Sequence, residues 1–156
     1  MDLTVAAVGT RMPAWVQEAW AEYARRFPRG LSLRVREITL AKRGNNADVA
    51  ALQRAEAEAL LAAVPKGHLA IALDERGRQW STEELAGQLE NWMRDEHGVC
   101  FLVGGPDGLH SSCRERARSV WSLGRLTLPH PLVRVLLAEQ LYRAWTITQN
   151  HPYHRS

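Results

Sequence analysis

Short apolar runs alternate with longer amphipathic stretches along the chain. The apolar run at residues 3–8 predicts a strand, and Pro13 then suits the first turn of a helix. Residues 31–40 alternate strictly between apolar and polar, which predicts a half-exposed strand at a sheet edge. Between these strands the apolar side chains recur every four residues, which predicts a helix with one apolar face. They are Trp15, Ala19, Tyr23 and Phe27, with Val16 and Trp20 beside them.

Strand and helix patterns repeat five times, which predicts an α/β fold with a mostly parallel sheet flanked by helices. Ser81 with Glu84 three positions on predicts a capped helix start, and the apolar run at 98–105 predicts a central strand. No linker interrupts the pattern, so we expect residues 1–156 to form a single domain. The other predicted elements are a loop at 41–48, a helix ending near residue 64, a strand at 68–74, a loop at 75–80, a short helix capped by Ser111 or Ser112, a brief strand within 119–128 and a final helix from Pro131 to about Thr148.

The final helix is apolar on nearly all sides, and a helix of this kind is buried on several sides. One side can pack on the chain's own sheet. A second copy related by a two-fold axis is the commonest cover for the other side, so we expect a homodimer. The large apolar residues that do not share one narrow stripe are Leu132, Leu136, Leu137, Leu141, Trp145 and Ile147.

Composition adds one feature to this picture. The net charge is only +3, yet 18 of the 20 basic residues are Arg, which stacks on bases and forks onto phosphates. This bias indicates either an anionic partner or a general compositional preference.

Cys100 and Cys113 are expected to be reduced, unreactive thiols in a cytoplasmic protein. Without a signal peptide or an apolar run near 18 residues, no membrane span is expected.

Ligands of parallel sheets bind beyond the carboxyl ends of the strands, so the loops there are candidate sites. In the first loop, Gly104 and Gly105 lack a Cβ and allow a ligand to approach the backbone. Their spacing matches neither a dinucleotide fingerprint nor a Walker loop, and a plain turn is an equal alternative. In the second loop, Pro129 and Pro131 hold His130 in a fixed place, for either a structural or a functional role.

The tail segment, residues 149–156, is rich in side chains that recognise nucleic acid. Arg and His donate to phosphate or imide oxygens, and Tyr and His rings stack on unpaired bases. Pro152 ends the helix and should turn the tail back. His151 and His154 alone make a poor zinc site, so no metal is expected. Arg143 lies four residues after Glu139, which leaves it either a structural ion pair or a functional role.

Two segments are highly specific to a single protein family: LTLPHPLVRVLLAEQLYRAW (126–145) and NHPYHR (150–155). With FLVGGPDGLHSSC (101–113), AVGTRMPAWVQEAWAEYARRFP (7–28) and AKRGNNAD (41–48), they resemble the ribosomal RNA large subunit methyltransferase H family of the SPOUT class. The resemblance covers essentially the whole chain. It implies a SPOUT domain with a C-terminal deep trefoil knot, a homodimer that binds S-adenosyl-L-methionine in the knot, and methylation of N3 of a pseudouridine in a 23S rRNA hairpin loop on the assembled ribosome.

The resemblance also implies roles for single residues. It places substrate binding and catalysis on Arg143, Tyr153 and Arg155. On this hypothesis Arg155 stabilises the imide anion and Tyr153 positions or stacks the base. The candidate proton acceptors are His130 and His154, and the candidate phosphate contacts, completed by the partner subunit, include Lys42 and Arg43. The implied methyl-donor pocket is formed by Leu73, Gly104, Leu123, Gly124, Arg125, Leu126, Thr127 and Leu128.

Two other classes of function stay open at this point. A nucleotide-dependent oxidoreductase would use the glycine loop at 104–108, although the dinucleotide fingerprint is missing. A non-catalytic ribosome-binding factor would use the same arginines. Binding of adenosylmethionine but not NAD excludes the first, and a new methyl group on rRNA excludes the second.

Overall fold

The computed structural model describes residues 1–42, 44–46 and 48–155, so Arg43, one of the candidate phosphate contacts, lies outside the described residues. Within this part of the chain, strands and α-helices alternate as the pattern predicts. In chain order they are β1 (Asp2–Val8), α1 (Ala14–Ala24), β2 (Ser32–Ile38), α2 (Val49–Ala63), β3 (Leu69–Gln79), α3 (Thr82–Asp95), β4 (Gly98–Val103), α4 (Ser111–Arg116), β5 (Ser119–Ser122) and α5 (His130–Thr148), followed by a short 3₁₀-helix (Pro152–Arg155).

The five described strands form one sheet in the order β2-β1-β4-β3-β5, and every neighbouring pair is parallel. This confirms the α/β fold class. Strand β4 lies at the centre and is buried throughout, whereas β2 lies at an edge and is buried only in part. Both placements match the sequence prediction, since a continuous apolar run needs cover on both faces and an alternating strand needs it on one.

Helices cover both faces of the sheet. On one face α1, α3 and α5 pack over the larger apolar cluster, which includes Leu89, Phe101 and Leu141. On the other face α2 and α4 pack over a smaller cluster that includes Leu60 and Cys113. Within the described residues no helix is long and apolar enough to cross a bilayer.

Both cysteine thiols are buried and free, as expected. Burial raises the pKa of the Cys100 thiol to about 11 and also raises the pKa of Cys113. Because the thiolate is the reactive form, neither side chain is a nucleophile at neutral pH.

The predicted loop at 75–80 is wrong, because β3 continues through most of it to Gln79. Strand β3 pairs with β5 up to Leu73 and again from Arg78, with a register shift between them. The intervening residues, 74–77, leave the ladder as a bulge, so their polar sequence does not follow the alternation of a regular strand. The bulge pushes polar side chains out at the carboxyl edge of the sheet.

Helix starts follow local capping chemistry, with two corrections. Ser81 caps α3 as predicted, its hydroxyl oxygen accepting a hydrogen bond from the Glu84 backbone N–H at 3.1 Å. Helix α4 is capped by His110 rather than by Ser111 or Ser112, because the His110 Nδ1 accepts from the Ser112 N–H at 3.1 Å. Helix α5 begins at His130, one residue before the predicted Pro131.

Helix α5 has more buried residues than any other described helix, and it packs against the sheet. Leu137, Ala138, Leu141 and Ala144 are fully buried. The remaining large apolar residues predicted to need a second cover stay half-buried in the single chain; they are Leu132, Leu136, Trp145 and Ile147. The homodimer and the trefoil knot both stay predictions.

Candidate functional site

A cavity of about 1010 Å³ opens at the carboxyl edge of the sheet. Its walls come from the β3 bulge, the loop after β4 and the segment between β5 and α5. Parallel sheets bind ligands at this edge, where the loops that follow neighbouring strands converge. The cavity is at the upper end of the range for small-molecule sites, roughly 300–1,000 Å³, so a nucleoside with an attached amino-acid chain fits in it.

Seven of the eight residues of the implied methyl-donor pocket line this cavity. Arg125 is the exception and is exposed. Leu126 is 81% exposed, so its apolar side chain lies at the mouth rather than in the wall. Contact of these residues with a methyl donor stays a prediction. The lining residues of the predicted set are Leu73, Gly104, Leu123, Gly124, Leu126, Thr127 and Leu128.

The glycine loop is both a tight turn and a cavity wall. The Gly108 N–H donates to the Gly105 carbonyl at 3.0 Å, which closes the turn. A Cβ on Gly104 would lie 2.7 Å from the carbonyl carbon of Gly108, too close for any other residue. The turn therefore requires glycine at 104, and it leaves bare backbone facing the cavity.

A carboxylate that the sequence analysis missed lies beside Leu73 in the cavity. The Asp74 side chain is only 8% exposed and pairs with Arg76 Nε at 3.1 Å and Arg114 Nη1 at 3.3 Å. Burial by itself would raise the pKa of Asp74, but the hydrogen bonds from Arg76 and the charge of Arg114 hold it below its ordinary value. Asp74 is therefore an anion that can accept hydrogen bonds from a ligand in the cavity. The polar run that follows the apolar start of β3 was the available signal.

His130 is the one catalytic candidate that lines this cavity. Its Nδ1 lies 3.2 Å from the Gly104 carbonyl oxygen, and its Nε2 accepts a hydrogen bond from Arg134 Nε at 3.0 Å. Burial and the charge of Arg134 lower the pKa of His130. The protein therefore uses both ring nitrogens, and the ring can take up a proton only by giving up the bond from Arg134.

Arg143 and Tyr153 meet at the far end of α5. The Glu139 Oε1 accepts from the Tyr153 hydroxyl at 3.1 Å and lies 2.7 Å from Arg143 Nη2, which confirms the predicted pairing of Glu139 with Arg143. The Arg143 guanidinium lies 4.9 Å from the centre of the Tyr153 ring. Partial burial, with Tyr23 and the Glu139 carboxylate nearby, raises the pKa of Tyr153. Tyr153 is therefore a neutral phenol whose hydroxyl donates to Glu139 and whose ring can stack.

The tail turns back against α5, as Pro152 predicts. The His151 N–H donates to the Thr146 carbonyl at 2.9 Å, and the 3₁₀-helix at Pro152–Arg155 follows. His154 and Arg143 line a second cavity of about 430 Å³, whereas Arg155 is exposed. In the part of the chain that the structure describes, no three His, Cys, Asp or Glu side chains form a group that could hold a metal ion.

The two parts of the candidate site lie at opposite ends of α5 within one chain. Arg143 comes 13 residues after His130 in the same helix. At 1.5 Å per residue this places them about 20 Å apart along the axis. The structure therefore brings Arg143 together with Tyr153 and His154, but not with the cavity of their own chain, and it leaves Arg155 exposed on the tail.

The parallel sheet with a cavity at its carboxyl edge defines an α/β protein with a candidate ligand site in the place expected for this class. A family model described as "Predicted SPOUT methyltransferase" matches residues 1–154, and the chain belongs to this family. Membership makes it a methyltransferase. The solved structure of a probable methylase family protein from Haemophilus influenzae Rd KW20 aligns with 97% of this chain and 69% of its own, with a TM-score of 0.55 and 12% sequence identity. At that identity the likeness shows a shared fold.

Replacing Gly104 by Ala should distort the cavity wall. The new Cβ would clash with the Gly108 backbone, so we expect a loss of about 1–3 kcal/mol in the free energy of unfolding. Gly87→Ala is the matched control, because Gly87 is an exposed position of α3 with open space at its Cβ. That change should stabilise the protein by about 0.5–1 kcal/mol. Urea unfolding of both variants measures the difference, and equal stabilities would contradict the steric argument.

Proposed function

We propose that this chain transfers the methyl group of S-adenosyl-L-methionine to N3 of a pseudouridine in 23S rRNA, on the assembled ribosome and as a homodimer. The carrying observation is the carboxyl-edge cavity, whose walls and mouth are formed in part by seven of the eight residues that the family resemblance implies for the donor. Membership of the SPOUT methyltransferase family supports the reaction class. The specific tail motif supports the substrate.

The residues of the cavity suit this donor. Bare backbone at Gly104 allows close approach of a flat ring, and Leu73, Leu123 and Leu128 supply apolar contacts for it. The Asp74 carboxylate can accept hydrogen bonds from ribose hydroxyls or attract a cationic group. A bound sulfonium donor supplies an already activated methyl group, so the protein's own task is orientation and handling of the substrate proton.

The tail residues suit a uracil-like ring. Its N3–H must lose a proton before N3 can attack, and a cation stabilises the resulting anion. Arg155 is exposed and can supply that cation, and the neutral Tyr153 ring can position the base. Both nitrogens of His130 are bonded within the protein. His154 lines the second cavity together with Arg143, so it is the candidate proton acceptor that lies nearer the proposed base-binding residues.

A second copy of the chain can bring a tail and a carboxyl-edge cavity together. Transfer requires reacting atoms about 3–3.5 Å apart, yet the tail and the cavity of one chain are separated by most of α5. In a two-fold dimer the tail of one subunit can reach the cavity of its partner. The half-buried Leu136 and Trp145 of α5 supply apolar surface for such contact.

Mass mapping of 23S rRNA tests the function directly. Ribosomes incubated with the protein and adenosylmethionine should gain one methyl group on a hairpin-loop fragment that contains a pseudouridine. Protein-free 23S rRNA is the control for the requirement of an assembled ribosome. Ribosome binding without any added methyl group would instead make the chain a non-catalytic factor. Binding of NAD but not of adenosylmethionine in a thermal-shift assay would indicate an oxidoreductase.

Arg155→Ala should separate chemistry from donor binding. The exposed guanidinium is proposed to act on the substrate anion, so turnover should fall by about 100-fold or more while the donor Kd stays within about twofold. Isothermal titration and single-turnover methylation measure the two quantities. An equal loss of both would refute this division of labour.

Mixed dimers test whether the site is shared between subunits. Thr127→Trp should fill the cavity from an exposed position, and Arg155→Ala should disable the tail. If the site is shared, random dimers of the two inactive variants should recover about a quarter of wild-type activity, because half of the dimers contain one intact site. If each chain works alone, mixing recovers nothing.

A further inference from the structure

Arg134 is a buried cation that has no part in the function proposed above. Its side chain is 3% exposed, on the second turn of α5. Its three nitrogens donate to three different parts of the chain. Nε donates to His130 Nε2 at 3.0 Å, Nη1 donates to Glu37 Oε2 at 2.7 Å, and Nη2 donates to the Gly9 carbonyl at 2.6 Å. The guanidinium therefore joins α5 to the ends of β1 and β2.

The partners of His130 leave its ring one protonation state. A guanidinium has only donors, so the Nε2 atom facing it must accept. A carbonyl has only acceptors, so the Nδ1 atom facing the Gly104 oxygen must carry the hydrogen. The ring is thus the neutral Nδ1–H tautomer. A protonated ring would point an N–H at the N–H of Arg134.

Through this ring Arg134 reaches both walls of the cavity. His130 bonds to the carbonyl of Gly104, whose turn forms one wall. Pro129 and Pro131 flank His130, so the same ring also fixes the end of the 123–129 segment that forms the opposite wall. Arg134 and His130 are held in place from the ends of three strands, β1, β2 and β4.

We infer that Arg134 is a positioning residue for the methyl-donor cavity: it holds His130 as the neutral Nδ1–H tautomer, and His130 in turn holds the Gly104 carbonyl and the start of α5 in register. The ligand named here rests on the proposed function, whereas the tautomer and the clamp do not. A buried guanidinium is costly and often adds little stability compared with apolar packing, so its three-way bonding is better explained by positioning than by stability.

The charges around His130 support a ring that stays neutral at pH 7. Burial and the positive charge of Arg134 lower its pKa, and they outweigh the hydrogen bond to Gly104 and the negative charge of Glu37, which raise it. Arg134 and Glu37 are the charged groups that face the ring from α5 and β2. Because the folded-state pKa lies below the unfolded value, the clamp is intact above that unfolded value and is lost as the pH falls through the folded pKa.

Nitrogen-15 NMR of the imidazole rings tests the tautomer in the unaltered protein. We expect His130 to show a protonated Nδ1 and an unprotonated Nε2 at pH 7, and to titrate at lower pH than histidine in the urea-unfolded chain. The Nε2–H tautomer, or a midpoint equal to that of the unfolded chain, would overturn the inference. This measurement needs neither donor nor substrate.

Donor affinity in variants tests the clamp. Arg134→Lys keeps the charge but cannot donate in three directions, so the donor Kd and KM should rise about tenfold, as expected for the loss of one or two buried hydrogen bonds, with kcat within about twofold. His130→Asn keeps a donor near Gly104 and should lose less affinity than His130→Ala. Arg118→Lys is the matched control, since Arg118 pairs with Glu96 at 2.9 Å just before β5, at the opposite edge of the sheet.

The outcomes separate this inference from the proposed function. If the wild-type protein does not bind adenosylmethionine, the proposed function fails and the NMR experiment still decides the tautomer. If the wild type binds adenosylmethionine and both Arg134→Lys and His130→Asn bind it with the same Kd as the wild type, the positioning role is refuted. If Arg134→Lys does not fold, the graded loss from His130→Asn to His130→Ala carries the test.

Discussion

Helix α5 is the constraint on which the rest of the structure depends. Leu137, Leu141 and Ala144 bury one side of it against the sheet and against α1 and α3, so it cannot shift without opening the larger core. Its first turn holds His130 at the cavity and its fourth turn holds Arg143 beside the tail. A rigid helix thus keeps two sets of candidate groups about 20 Å apart. In the proposed homodimer, chemistry that needs both sets would draw one of them from the partner chain.

The cavity lies at the first turn of α5, and it is formed by the ends of strands rather than by a separate domain. A bulge in β3 turns Asp74 into the cavity, and a turn that only Gly104 can make exposes backbone on the facing wall. Arg114 and Arg134 brace the two sides through partly buried ion pairs and through hydrogen bonds to backbone carbonyls. The site is therefore largely formed before a ligand arrives, which lowers the entropy lost on binding.

The tail differs from the cavity in its physical character. Tyr153, Arg143 and Glu139 form a charged and aromatic cluster at the surface, with the Tyr153 ring also packed edge-on against Tyr142 at 4.8 Å. Such a cluster is ordered by its own contacts but keeps polar groups accessible. This combination suits recognition of an RNA base, since rings supply stacking area and cations supply charge. The carboxyl-edge cavity, lined by both apolar and polar groups, suits the small donor, so the two surfaces divide the proposed reaction between them.

Sequence alone determined the features that depend on local periodicity and short-range chemistry. The continuous apolar run of β4 required a central strand, the alternation of β2 required an edge, and Ser81 required a helix start. Specific motifs were enough to recognise a SPOUT methyltransferase. Tertiary structure alone decided the β3 bulge, the Asp74–Arg114 ion pair and the bonds from Arg134 to Glu37 and Gly9, which lie 97 and 125 residues away. Periodicity shows which side of a segment is buried, but it carries no information about which distant residue meets that side, because that depends on how the strands and helices pack together.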